Sequence, residues 1–144
     1  VHSFPHLADP ERAWLALPDF RTRLELAVER TRHDGLPFTL HRLEFPGPPD
    51  AVDRLRAGLP HLLRASDFLC PLPPRHVLLL TAATQDAYTH VRRRLLAAWE
   101  EAWRESGQSP PAPPITDLRA EMAGPEDAAE FLSSAEAWLA GPAR

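Results

Sequence analysis

The sequence contains no lysine: all sixteen of its basic side chains are arginine, set against twenty acidic ones. With so many alanines and prolines beside it, that bias reads as coding preference more than chemistry. The formal net charge of −4 gives no electrostatic ground for binding nucleic acid or an anionic membrane surface. Cysteine is nearly absent. Cys70 stands alone, so no internal disulfide can form, which fits a reducing, cytoplasmic setting. No apolar run approaches the roughly 20 residues of a membrane-spanning helix, and the N-terminus lacks a signal-peptide pattern. Metal-ligand spacing is missing too. The seven histidines are scattered, and His2 and His6, four apart, fall in a proline-containing segment rather than on a clear helix. No metal, cofactor or catalytic triad is expected. The chain begins at Val1 rather than Met, and it is expected to be a piece of a larger protein.

What is present patterns as one domain, since 144 residues can bury a core without staples. Helical spacing of Phe20, Leu24, Ala27, Val28 and Thr31 predicts a helix over 18–32, with Asp19 as its N-cap and Gly35 past its end. Residues 37–45 read as a strand between Gly and Pro. A second helix over 50–65 carries Val52, Leu55, Leu59, Leu62 and Leu63 on one face, with a kink expected at Pro60. Two short apolar runs, 68–72 and 76–82, have hairpin spacing about Pro73-Pro74-Arg75. Val77 to Leu80 is continuous enough for a strand buried on both faces. A third helix over 84–105 aligns Tyr88, Val91, Leu95, Trp99 and Trp103. The proline-rich connector 109–114 leads to an alternating, half-exposed strand over 115–122. A last helix follows Pro125, with Ala128, Phe131, Leu132, Ala135, Trp138 and Leu139 as its stripe. The expected organisation is an N-terminal extension over 1–14, a domain over 15–140 and a tail over 141–144. The order α-β-α-β-β-α-β-α predicts an α/β (α+β) fold: a central, mostly antiparallel sheet of the palm or ferredoxin-like kind, flanked by helices.

At the central hairpin the sequence resembles a GGDEF domain, the diguanylate cyclase family. Arg64-Ala65-Ser66-Asp67-Phe68-Leu69-Cys70-Pro71-Leu72 is similar to the stretch preceding the family's signature. Pro73-Pro74-Arg75-His76-Val77 stands where Gly-Gly-Asp/Glu-Glu-Phe would stand. Leu17-Pro18 resembles the family's opening motif. The resemblance spans about Leu15 to Leu139, chiefly as element order.

The departures from the family's pattern predict a degenerate, non-catalytic member. Family glycines bring backbone close to the GTP phosphates, whereas Pro73 and Pro74 offer no N–H and fix φ near −65°. The acidic signature residues serve catalysis and bind Mg²⁺, which needs oxygen ligands; Arg75 and His76 replace them. The family's metal-binding Asp on the first strand aligns with Arg42, leaving Glu44 as the nearest carboxylate. The segment 46–50 is also shorter than the family's.

One family feature is retained in spacing. Arg64-x-x-Asp67 lies five residues before the replaced signature, as the family's product-binding inhibitory site does. The resemblance implies cyclic di-GMP contacts from Arg64 and Asp67, joined by an Arg from the next helix, for which Arg94 is preferred among Arg92, Arg93 and Arg94. Arginine forks suit phosphate or a guanine edge, and a carboxylate accepts from the guanine Watson–Crick face. A plainer reading stands beside it: Arg64 complements a helix C-terminus, and Asp67 caps a turn or pairs with Arg64 at the surface. The Trp99, Trp103 and Trp138 positions fit core stripes. An RNA-recognition motif is rejected, because no exposed aromatic interrupts Val77 to Leu80. The expected role is a bacterial, cytoplasmic regulatory domain acting through a protein partner or neighbouring domain, with cyclic di-GMP as a candidate ligand. The alternative is an interaction module with no nucleotide site.

Overall fold

A computed structural model describes residues 13–64, 66–82 and 85–140, apart from the side chains of residues 85–87. His2, His6, most of the N-terminal extension and the tail lie outside the described residues. Among the described residues, four helices and four strands follow the expected order. Helix α1 is Leu17–Asp34, β1 Phe38–Glu44, α2 Pro49–Gly58, β2 Phe68–Leu72 and β3 His76–Thr81. Then come α3 Gln85–Glu105, β4 Thr116–Met122 and α4 Ala128–Leu139.

Two local expectations are corrected. Helix α1 begins at Leu17, so its cap position is Ala16 and Asp19 sits in the first turn. There its charge complements the helix dipole without capping an amide. At the other end Gly35 adopts φ 69° and donates its N–H to the Thr31 carbonyl, a left-handed closure that glycine makes at no steric cost. Pro60 ends a helix rather than kinking it. Its missing N–H and its ring's clash with the carbonyl four residues back stop α2 at Gly58, and Leu59–Leu62 continue as a 3₁₀ turn.

The sheet is antiparallel throughout, in the order β2-β3-β1-β4. Pro71 is tolerated because β2 is the strand at the edge. The chain before α1 lies against that edge: Trp14 bridges Leu69 in parallel and the Leu15 N–H donates to the Leu69 carbonyl at 2.8 Å. Ala13, assigned to the extension on sequence grounds, is buried with it.

Alternation along the strands divides the core in two. Leu43, Leu69, Val77 and Leu79 face α2 and α3, where Val52, Leu55, Val91, Leu95 and Trp99 meet them. Leu40, Cys70, Leu78 and Leu80 face α1 and α4, packing on Phe20, Leu24, Phe131 and Ala135. Both faces of β3 are therefore covered, as its unbroken apolar run predicts. Strand β4 is the other edge and is half-covered: Met122 is fully buried, while Leu118 on the same face is 45% exposed.

Candidate functional site

Residues 73–75, expected to stand where the family signature would, form the tip of the β2–β3 hairpin. Leu72 and His76 are cross-strand partners, so Pro73, Pro74 and Arg75 make a three-residue turn. The Phe45 N–H donates to the Arg75 carbonyl at 2.9 Å, which fastens this tip to the end of β1. Val77 is fully buried in the core beneath the turn.

The same register brings the substituted side chains together. Glu44 stands opposite His76, and Arg42, two residues earlier on β1, projects to the same face. The His76 Nε2 lies 3.7 Å from a Glu44 carboxylate oxygen. Burial nevertheless lowers the His76 pKa, and the Arg42 and Arg75 charges add to that against the opposing pull of Glu44. A divalent cation does not fit here. The charges that act on His76 are two guanidiniums and a single carboxylate, and hard cations require several oxygen ligands. Among the described residues no group of three or more His, Cys, Asp or Glu side chains could hold a metal ion.

Arg64 and Asp67 do come together, but chiefly through the backbone. The Arg64 N–H donates to the Asp67 carboxylate at 3.0 Å, and the Asp67 N–H donates to the Arg64 carbonyl at 3.0 Å. Asp67 is only 3% exposed. Burial raises its pKa, partly offset by the Arg64 amide, the Thr81 hydroxyl and the Ala82 amide. Its carboxylate caps the turn into β2. Arg64 itself is exposed, as are Arg93 and Arg94 on α3. With helical steps of about 100°, Arg94 points away from the side on which Arg92 meets β4.

That β4 side holds a constellation the sequence reading missed. Asp117 is 7% exposed in its side chain and is surrounded by donors. One of its oxygens lies 3.0 Å from His41 Nδ1. The other accepts from the Tyr88 hydroxyl at 2.9 Å and the Arg119 Nε at 3.2 Å, with an Arg92 Nη at 3.6 Å. Burial alone would raise the Asp117 pKa, but the His41 and Tyr88 hydrogen bonds and the Arg119 charge take it below the usual carboxylate value. An ionised carboxylate only accepts, so the His41 Nδ1 carries the proton in this pair. Tyr88 stacks on the His41 ring with centroids 4.1 Å apart. Burial and the Asp117 charge push its hydroxyl pKa well above the ordinary value. The signal that could have located the group was a lone His on the face that β1 shares with Leu43 and Phe45, since a polar group at a core position requires a partner.

No helix among the described residues is long and apolar enough to cross a membrane. No family model matches the chain, and no curated protein matches it either. Solved structures do. A microbial GGDEF domain described in its interaction with cyclic di-GMP superposes with a TM-score of 0.64 at 21% identity, over 92% of this chain and 87% of its own. The diguanylate cyclase SiaD in complex with its activator SiaC, from Pseudomonas aeruginosa, gives 0.58 at 19% identity. PelD from P. aeruginosa PAO1 gives 0.59 at 20% identity. This chain covers 92% and 94% of its own length in these last two matches, but spans only 56% of the SiaD chain and 47% of the PelD chain. At such identities the likeness carries the architecture, and it agrees with the element order and the antiparallel sheet: this chain has the fold of a GGDEF domain.

Proposed function

We propose that the chain is a non-catalytic regulatory domain of bacterial signalling, acting in the cytoplasm by binding a protein partner or a neighbouring domain. The observation that carries this reading is that His76 at the hairpin sits within the field of Arg42 and Arg75, with Glu44 as the one opposing carboxylate. Nucleotidyl transfer at such a hairpin needs divalent cations to neutralise a triphosphate. Here the fixed charges would repel those cations.

Cyclic di-GMP is the ligand proposed for the Arg64 turn. Arg64 and Arg94 are exposed, which leaves their guanidiniums within reach of phosphate or guanine, although the Arg64 charge also acts on the buried Asp67 carboxylate. Asp67 would act by holding the turn that presents Arg64. A GGDEF domain described with cyclic di-GMP and a cyclase described with its activator share the fold, which supports both arms of the reading. The competing reading, an interaction module with no nucleotide site, draws on the burial of Asp67, whose carboxylate already has donors.

Calorimetry with cyclic di-GMP on the native chain and on Arg64→Ala separates the two. Micromolar binding abolished by the substitution supports a receptor. Absence of heat with the native chain leaves the interaction module.

A further inference from the structure

His41 is 1% exposed, and with Nδ1 committed to Asp117 its Nε2 has no hydrogen-bond partner. Because Nδ1 bears the proton in the neutral ring, Nε2 presents a lone pair. Buried acceptors are almost always satisfied, so an unsatisfied one calls for an explanation. The ring lines a cavity of about 280 Å³, bounded also by Thr39, Tyr88, Arg119 and Glu121.

The strand register sets out what this cavity offers. His41 pairs with Arg119 and Thr39 with Glu121, so the four side chains form a two-by-two grid on one face of β1 and β4. Tyr88 of α3 stands over it, its ring 5.0 Å from the Arg119 guanidinium carbon. The His41 lone pair and the Glu121 carboxylate sit on one diagonal of the grid and both seek a donor. Arg119 uses Nε and one Nη on Asp117, which leaves its remaining nitrogen to engage an anion. Among the described residues no basic side chain forms an ion pair with Glu121.

We propose that this cavity binds a small zwitterion, an ammonium group beside a carboxylate, of the size of a free amino acid. The ammonium lies between His41 Nε2 and Glu121, and the carboxylate lies on Arg119. Acceptors on one diagonal and a guanidinium beside them match separated charges of opposite sign better than a simple anion. A histidine whose other nitrogen donates to a carboxylate also suits a metal ion, but the Arg119 charge and the want of further ligands stand against that. The site is distinct from the Arg64 turn and does not depend on cyclic di-GMP binding.

The test is an NMR titration of histidine-labelled protein, following the His41 ring, with glycine, alanine, serine and glutamate. Acetate and methylammonium serve as half-ligands, and zinc as the metal probe. The expected result is a saturable His41 shift with at least one amino acid. It should be about tenfold weaker or more in Arg119→Gln and in Glu121→Gln, because each removes one charge-assisted contact. Glu121 is exposed and outside the Asp117 cluster, so its variant keeps the fold. The half-ligands should bind more weakly still. No saturable shift with any amino acid, affinity in both variants unchanged from the native chain, or a response to zinc alone overturns the proposal.

Discussion

The Arg64 and Asp67 backbones and the Asp67 carboxylate form a closed pair of hydrogen bonds, each 3.0 Å long, at the entry to β2. The side chain of Asp67 is thus spent on the fold, while that of Arg64 is not. Asp67→Ala should destabilise the domain by about 1–3 kcal/mol, since it strands the Arg64 N–H and empties a buried site. Arg64→Ala, at an exposed position, should stay within about 0.5 kcal/mol of the native chain. Urea denaturation followed by tryptophan fluorescence measures both. Equal losses would show that the arginine side chain also serves the turn, and a ligand assay with Arg64→Ala would then report folding as well as binding.

His76 faces Glu44 yet has a lowered pKa, because burial and the neighbouring Arg42 and Arg75 outweigh that carboxylate. The sign of the pH effect follows. Above the ordinary value of 6.5 both folded and unfolded chains hold the ring uncharged. As pH falls through 6.5 the unfolded chain takes up its proton first, so stability declines until the lowered folded-state value is passed. The difference in stability between the native chain and His76→Gln should therefore change in the window just below pH 6.5 and be flat above it. Denaturation curves collected between neutral and mildly acidic pH read this directly. A difference that grows in the opposite direction would mean that Glu44 dominates.

Much of this arrangement was legible in the sequence, and the parts that were not share a cause. The apolar stripes of Phe20, Leu24 and Val28 and of Val91, Leu95 and Trp99 located α1 and α3, because helical spacing records which face is buried. The hairpin at Pro73 followed from two apolar runs joined by a turn segment. Asp67 was readable only as two alternatives, since spacing cannot say whether a carboxylate turns inward or outward. The Asp117 cluster was invisible for a related reason. Its members lie on β1, α3 and β4, and only the cross-strand register of His41 with Arg119 brings them together. Pro60 and Asp19 went astray by a turn at helix ends, where local sequence leaves cap and kink nearly equivalent.

Gly47 sits against two indole rings. A Cβ built there would lie 2.9 Å from Trp99 Cη2 and 3.0 Å from Trp103 Cζ3. Trp99 is 2% exposed, and its Nε1 donates to the Pro113 carbonyl at 2.9 Å, so the ring cannot swing away freely. Gly47→Ala should therefore cost about 1–3 kcal/mol through overpacking. Denaturation of this variant beside Gly58→Ala, where nothing lies within 4 Å of the added carbon, isolates the steric part. If the two variants prove equally stable, the indoles repack at no cost and the connector after α3 is looser than its hydrogen bonds imply.

The native chain incubated with GTP and either Mg²⁺ or Mn²⁺ should yield no cyclic di-GMP above a protein-free control, as read by liquid chromatography and mass spectrometry. Arg42→Asp should not create the activity. That substitution returns one carboxylate to β1 beside Glu44, which relieves the repulsion of a cation from the strand. It leaves Arg75 and His76 at the turn, and it leaves Pro73 and Pro74 without N–H groups to meet a phosphate. Charge and backbone would both have to be restored, because a triphosphate needs its divalent ions and its backbone donors at once. Product from the native chain would overturn the non-catalytic reading. Product from Arg42→Asp alone would show that the turn is no obstacle and that the charge on β1 decides.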